Sequence, residues 1–339
     1  MARWGLIGQE APVARLEATL QSGQVPQGLL LAGPRGTGKA TAARWMAARL
    51  LCRRGPGQPP CGECPPCRHR LAGTAPDLIA LPTEGEEEIR VDPLREMVAQ
   101  VQLTPQESRL RVVILDPAEA MGAHAANALL KVLEEPPGEV VFLLVSHRSD
   151  QLLPTIRSRC QLLRFGAVPA EEVEQWLAET HGLSGEDPRL AARMSGGAPG
   201  RALEWARRSL VAERDAVLEG LEAARARGGE SLLEVAERWA KGESAAWLPH
   251  LQAWLRDLTR VTVTAGQAPP EHLVNADRRE RLAQEARRLG PAAAERLLRA
   301  GEGLAEAEAG RASTRLALEE FLFWWRDPEA MPRIPPSTS

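Results

Sequence analysis

The stretch Gly28-Leu29-Leu30-Leu31-Ala32-Gly33-Pro34-Arg35-Gly36-Thr37-Gly38-Lys39-Ala40-Thr41 decides how this chain is read. Leu29 to Ala32 is a short apolar run and predicts a buried strand. Gly33 to Lys39 predicts a loop, and Ala40 to Leu51 a helix. Strand, glycine-rich loop and helix in that order make a phosphate-binding loop. Gly33, Gly36 and Gly38 let the backbone around Thr37 wrap its N–H groups about an anion. The helix N-terminus adds partial positive charge, and Lys39 a full one. The next position departs from the pattern. A Ser or Thr there would hold Mg²⁺, and this chain has Ala40. Thr41 is no substitute, because one residue along a helix is a rotation of about 100°. The loop therefore reads as built for phosphate and impaired for metal.

Upstream, Val13, Leu16 and Leu20 mark an amphipathic helix over Ile7 to Ser22. Downstream, short apolar runs at Asp77–Leu81, Arg111–Leu115, Val140–Val145 and Gln161–Phe165 predict further strands. Helices are expected between them at Pro93–Val101, with Asp92 as N-cap, and at Met121–Glu135, stopped by Pro136-Pro137. A helical turn is expected near Leu152. The segment Thr83 to Glu88 reads as an acidic, solvated loop. Short all-apolar strands alternating with helices predict a parallel sheet covered on both faces, with phosphate at the carboxyl ends of its strands.

Beyond Phe165 the pattern is all helical. Helices are expected at Pro169–His181, about Asp187–Met194 and Arg201 to about Arg208, the last two separated by Gly196-Gly197-Ala198-Pro199-Gly200. From Val211 to Trp325 the chain stays largely helical, with Leu248, Leu251, Leu255 and Leu258 forming one buried stripe. Leu316, Leu318, Phe321, Leu322, Trp324 and Trp325 make the last helix apolar on more than one face, which fits either core or a subunit contact. Residues 327–339 are expected to fray.

At 339 residues, 44% hydrophobic and 26% charged, the chain has ordinary globular composition and length for more than one domain. A net charge of −3 gives no global attraction to nucleic acid or acidic membranes. No apolar stretch of about 18 residues predicts a membrane span, and no secretory signal is read. The expected compartment is a reducing cytoplasm, so the cysteines are read as metal ligands before disulfides. Cys52, Cys61, Cys64 and Cys67 follow C-x8-C-x2-C-x2-C spacing, which suits one tetrahedral, structural Zn²⁺. Free thiols or disulfides in a surface insertion are the plainer alternative.

Asp116, at the end of the Arg111–Leu115 strand, stands where an acidic residue commonly supports Mg²⁺. The position after it, where a glutamate orients attacking water, holds Pro117. Glu119 lies two residues further, off that register. Ala40 and Pro117 thus remove two parts of a hydrolysis apparatus. Arg159, in Ser158-Arg159-Cys160, reads locally as a surface salt bridge. Its sharper reading is a guanidinium reaching into a neighbour's nucleotide site.

Taken with Ile7-Gly8-Gln9, the phosphate loop, the four cysteines and Ser158-Arg159-Cys160, the run Asn127-Ala128-Leu129-Leu130-Lys131-Val132-Leu133-Glu134-Glu135-Pro136-Pro137 resembles the delta-prime family of bacterial DNA polymerase III clamp loader subunits, within the AAA+ group. The resemblance is strong over 5–165, weaker over 166–208 and only architectural beyond. It implies an α/β RecA-like AAA+ domain (1–165) with a zinc module (about 52–70), an all-α lid (166–208), an all-α collar (209–330) and a tail (331–339). It further implies a stator in a hetero-pentamer with gamma/tau motor and delta subunits. Such a stator helps load a sliding clamp onto primed DNA, in the bacterial cytoplasm at the replisome. Arg159 then acts as the arginine finger, and Gly33, Gly36, Thr37, Gly38, Lys39, Ala40 and Asp116 form a nucleotide site that holds ATP or ADP without turnover. Gly200 stands where motors carry the lid's sensor arginine, with Arg201 one step late. Ser146 stands at the first sensor, followed by His147. An ATP-hydrolysing gamma/tau-type motor is the second reading. A DNA adaptor acting through Arg68, His69 and Arg70 of the zinc module is a third, thin in positive charge.

Overall fold

The computed structural model describes residues 5–81, 89–135, 138–226, 232–242, 247–308 and 313–332. The acidic segment 83–88, the Pro136-Pro137 stop and the tail beyond 332 lie outside the described residues. The chain divides into two compact units: Met1–Trp176 with Gly196–Arg201, and Leu177–Ser195 with Ala202–Ser339.

The first unit begins with α1 (Glu10–Ser22), β1 (Gly28–Ala32), α2 (Lys39–Leu51), α3 (Pro65–Leu71) and β2 (Leu78–Leu81). It continues through α4 (Val91–Val101), β3 (Arg111–Leu115), α5 (Ala123–Glu134), β4 (Val140–Ser146), α6 (Pro154–Arg159) and β5 (Gln161–Arg164). The five strands form one sheet in the order β2-β3-β4-β1-β5, all neighbours parallel. The strands are apolar without alternation because both faces are covered. Leu29, Leu31, Val112, Ile114, Val141 and Leu143 pack with Leu16, Met46 and Leu50 of α1 and α2. Leu30, Val113, Leu115, Phe142 and Leu144 pack with Leu94, Leu129 and Ile156 of α4, α5 and α6. β1 is thus held between β4 and β5, with the glycine loop at its carboxyl end.

Four helix starts differ from expectation, the first being α1, which begins at Glu10 and not at Ile7. α4 begins at Val91 with Arg90 as its N-cap, not at Pro93 with Asp92. Pro93 is tolerated there because the first-turn N–H groups need no intrahelical acceptor. Ala118–Ala120 forms a separate 3₁₀ turn, and Met121 makes an isolated bridge to Ile89, so α5 starts only at Ala123. α7 (Ala170–His181) and α8 (Glu186–Met194) lie close to expectation, but α9 is Pro199–Trp205 rather than Arg201 onwards. Proline suits a first helical position, where its missing N–H is not needed.

The second unit is built on α10 (Leu210–Arg225), α11 (Leu232–Ala240), α12 (Trp247–Val263), α13 (Arg279–Glu306) and α14 (Thr314–Arg326). Leu248, Leu251, Leu255 and Leu258 are buried together with Trp239, Trp254, Leu318, Phe321, Leu322 and Trp325. Trp239 stacks on Trp247 at 5.6 Å. A side chain at Gly220 would come within 2.8 Å of the Trp239 ring, so α10 approaches by means of glycine. Asp257, wholly buried, accepts hydrogen bonds from the backbone N–H of Val274 (3.1 Å) and Asn275 (2.7 Å) and from the Asn275 side chain (2.9 Å). α13 is interrupted at Gly290, whose backbone is not helical. α14 buries one face and leaves Leu316 and Phe323 exposed. The expected fraying does not begin at 327. Pro328–Ala330 forms a 3₁₀ turn and Met331 is buried in this core, because an apolar residue there has a hydrophobic cluster to join.

Candidate functional site

The glycine loop runs from β1 into α2, and each of its glycines is required by close approach and by a positive φ. A Cβ on Gly33 would lie 2.0 Å from the Phe165 carbonyl oxygen, one on Gly38 2.3 Å from Leu6, and one on Gly36 3.1 Å from the Arg201 nitrogen. The Gly200 N–H donates to the Gly36 carbonyl at 2.9 Å. Gly200, at the position expected for a sensor arginine, thus meets the loop through its backbone. Gln9 braces the same region, donating to the Gly166 carbonyl at 2.8 Å and accepting from its N–H at 3.2 Å.

Lys39 is buried, and its Nζ donates to the Pro34 carbonyl at 2.6 Å. Thr37 Oγ1 donates to the same oxygen at 2.9 Å. Burial lowers the Lys39 pKa to about 8, against the attraction of Asp116 and Glu119. Asp116 ends β3 next to this group. Burial holds its carboxyl above the usual range, against the pull of His147, Arg44 and Lys39. Glu119 does reach the site, despite its offset in sequence. Its Oε1 accepts from the backbone N–H of His147 at 2.8 Å and of Arg148 at 3.2 Å. Burial opposes its charge, but backbone N–H groups and the charge of His147 outweigh that, and its pKa lies below the usual value. One carboxylate oxygen is thus taken up by the end of β4, while Oε2 is buried without a hydrogen-bond partner. Ala40 supplies no oxygen, and Pro117 supplies no base.

The four cysteines converge. Cys52 caps the C-terminus of α2, Cys64 caps the N-terminus of α3, Cys67 lies in its first turn, and Cys61 precedes them. Their sulfurs all lie within 4.8 Å of one another. Cys61 and Cys67 Sγ are 3.9 Å apart, close to the ~3.8 Å that a tetrahedron of 2.3 Å Zn–S bonds requires. Backbone N–H groups of Cys61 and Cys64 point at Cys52 Sγ (3.5 Å) and Cys61 Sγ (3.3 Å). Backbone N–H groups, first that of Cys64 and then that of Glu63, draw the Cys61 thiol down to about 6, while burial pushes Cys67 up to about 12. Four cysteine sulfurs this close form a donor set that fits one metal ion, whose charge would favour their thiolate forms. His69 Nδ1 lies 2.9 Å from Glu107 Oε2, and Gln106, Glu107 and Ser108 donate their backbone N–H groups to Asp77 at 2.8 Å. The module is thereby tied to the segment entering β3.

Arg159 is the last residue of α6. Its Nη1 donates to the Thr155 carbonyl at 3.0 Å, and its Nη2 pairs with Glu134 Oε1 at the end of α5. Glu134 carries no signal of its own in the sequence beyond its place in the Asn127–Pro137 run. The pair joins residues 25 apart, and it exists because α5 and α6 pack on the same face of the sheet. Arg159 is thus remote in sequence from the phosphate loop, and the salt bridge expected from local chemistry is present.

The β2-β3-β4-β1-β5 order, the loop after β1 and the cysteine cluster after α2 define a RecA-like AAA+ domain. Residues 8–169 match the family described as DNA polymerase III, delta subunit. The chain is 46% identical over 180 residues to DNA polymerase III subunit delta' of Pseudomonas aeruginosa, covering 49% of this chain and 55% of that one. It is 35% identical over 190 residues to the delta' subunit of Escherichia coli, covering 56% and 57%. It is 36% identical over 200 residues to the gamma/tau subunit of Mycobacterium bovis, covering 57% and 34%. Over about its first half the chain is similar to the delta' subunits of DNA polymerase III. The matches span about half the length of the delta' relatives and about a third of the gamma/tau relative. Among the described residues no helix is long and apolar enough to cross a membrane.

Proposed function

We propose that this chain is the non-motor, stator subunit of a DNA polymerase III clamp loader. It assembles with gamma/tau and delta subunits into a hetero-pentamer in the bacterial cytoplasm, at the replisome. Through that complex it helps load a sliding clamp onto primed DNA. The three-part division at about 165, 208 and 330 into AAA+ domain, lid and collar belongs to this reading. So does a structural zinc ion on Cys52, Cys61, Cys64 and Cys67.

One observation carries the proposal. The loop keeps Gly33, Gly36, Gly38 and Lys39, but the Ala40 side chain offers no metal ligand, Pro117 stands where a catalytic glutamate would be, and Glu119 spends one carboxylate oxygen on two backbone N–H groups. Phosphoryl transfer depends on positioning and on electrostatic stabilisation, and both are deficient here. Any nucleotide bound by this loop is accordingly not turned over. The chain's contribution to chemistry is Arg159, delivered as a finger to the ATP site of the adjacent motor. Mixing the chain with motor and delta subunits tests this. A complex of defined mass with DNA-stimulated ATPase supports it, and failure to co-assemble overturns it.

The gamma/tau relative and the retained lysine favour a second reading, a self-sufficient motor. It requires the purified chain to release phosphate from Mg-ATP.

A further inference from the structure

We propose that Glu134 is the positioning residue for Arg159, and that Gly28 and Cys160 fix the backbone from which Arg159 projects. The inference rests on the finger reading above and adds to it what aims the finger.

An arginine side chain has four rotatable bonds, and a finger is effective only when its planar fork is already turned towards the developing charge. Two attachments turn it here. The Thr155 carbonyl, one helical turn back, takes Nη1, and Glu134 takes Nη2 from a different helix. Together they use two of the five N–H groups that a guanidinium carries. The side chain keeps 35% exposure, so the remaining edge faces solvent, where a neighbour's phosphate would sit.

The backbone is fixed independently. Arg159 ends α6, and the next residue, Cys160, is buried against β1. A Cβ at Gly28 would lie 2.9 Å from Cys160 Sγ and 3.2 Å from the Arg159 carbonyl oxygen. Gly28 does not have a positive φ, so it is glycine for this approach and not for its backbone conformation. β1 thereby supports both features, the phosphate loop at its carboxyl end and the seat of Arg159 at its amino end. The Cys160 thiol is pushed up to about 11 by burial, which marks it as packing and not as a nucleophile.

The ion pair is half exposed, and such a pair adds little to folding. Removing Glu134 therefore perturbs aim more than stability, which makes the role testable. The experiment is single-turnover ATP hydrolysis by the reconstituted complex with primed DNA, using Glu134→Ala, Glu134→Gln, Arg159→Ala and the Glu134→Ala/Arg159→Ala double variant. Complex mass and melting temperature are recorded for each. Glu134→Ala is expected to slow the phase belonging to one site by about 10- to 100-fold, the scale of a misplaced catalytic group. The ATP concentration for half-saturation should stay unchanged. Glu134→Gln, which keeps one acceptor oxygen, should fall between Glu134→Ala and wild type. The double variant should be no slower than Arg159→Ala. Wild-type or faster hydrolysis by Glu134→Ala, alongside a slow Arg159→Ala, overturns the positioning role and leaves the finger standing. A double variant slower than Arg159→Ala overturns it too, since Glu134 would then act by another route. A wild-type rate for Arg159→Ala removes the finger itself. For the backbone seat, Gly28→Ala should slow the same phase, and adding Cys160→Ala, which vacates the Sγ position, should restore it in part, since the 3.2 Å approach to the Arg159 carbonyl oxygen remains. No rescue overturns that part.

Discussion

Lys39 Nζ donates to the carbonyl oxygen of Pro34 at 2.6 Å, so the loop lysine is folded back onto its own loop. Its pKa is lowered from 10.5 to about 8, first by burial. Between these values the unfolded chain binds the proton and the folded chain does not, so stability rises with pH across that window. Below pH 8 both states are protonated and the burial penalty is present in full. Wild type should therefore gain stability relative to Lys39→Met between about pH 8 and pH 10, with a flat difference below pH 8. Urea unfolding of both proteins across this range checks it, and a difference independent of pH contradicts the buried lysine.

Purified chain with Mg-ATP should release no phosphate above background, and Ala40→Ser should not restore release. The hydroxyl would return one Mg²⁺ ligand. Glu119 would still be bonded to His147 and Arg148, and Pro117 would still occupy the glutamate position. Recovery of turnover on Ala40→Ser alone would show that only the metal ligand is missing.

Elemental analysis should find about one zinc per chain, because four cysteines close a tetrahedral site. Cys64→Ser should bring the content towards zero and open residues 52–71 to protease while the sheet stays folded. Full retention of zinc would mean that the ligand set is wrong.

In the helical unit, Asp257→Ala should cost about 3 kcal/mol in urea unfolding. Buried donors on Val274 and Asn275 would lose their acceptor, at roughly 1–3 kcal/mol each. Asp257→Asn, which keeps an acceptor oxygen, should cost less. Equal losses would assign the effect to packing.

What could be read before the fold was known follows from the range of each interaction. The strands, the loop and the cysteine cluster are local patterns, and all appear near the expected residues. Asp92 suits a cap by local pattern because it precedes a proline, but the helix begins two residues before Pro93 and places that proline where its missing N–H costs nothing. Met331 looked like the start of a tail because nothing nearby in sequence reveals the helical core that buries it. Glu119 is off register in the sequence, yet the 3₁₀ turn at Ala118–Ala120 carries it to the end of β4. Glu134 went unassigned because its partner lies on another helix. Gly28 carries no signal in sequence, since its need for glycine is a contact with Cys160 and not a turn.

The central claim is that this chain supplies Arg159 to a neighbour's ATP site and does not turn over ATP itself. Single-turnover hydrolysis by the reconstituted complex, wild type against Arg159→Ala, tests it most directly. The account predicts an assembled complex of unchanged mass in which hydrolysis at one site slows by about 10³-fold or more, the scale of an arginine finger. A trace that superimposes on wild type, or slows only twofold, would contradict it.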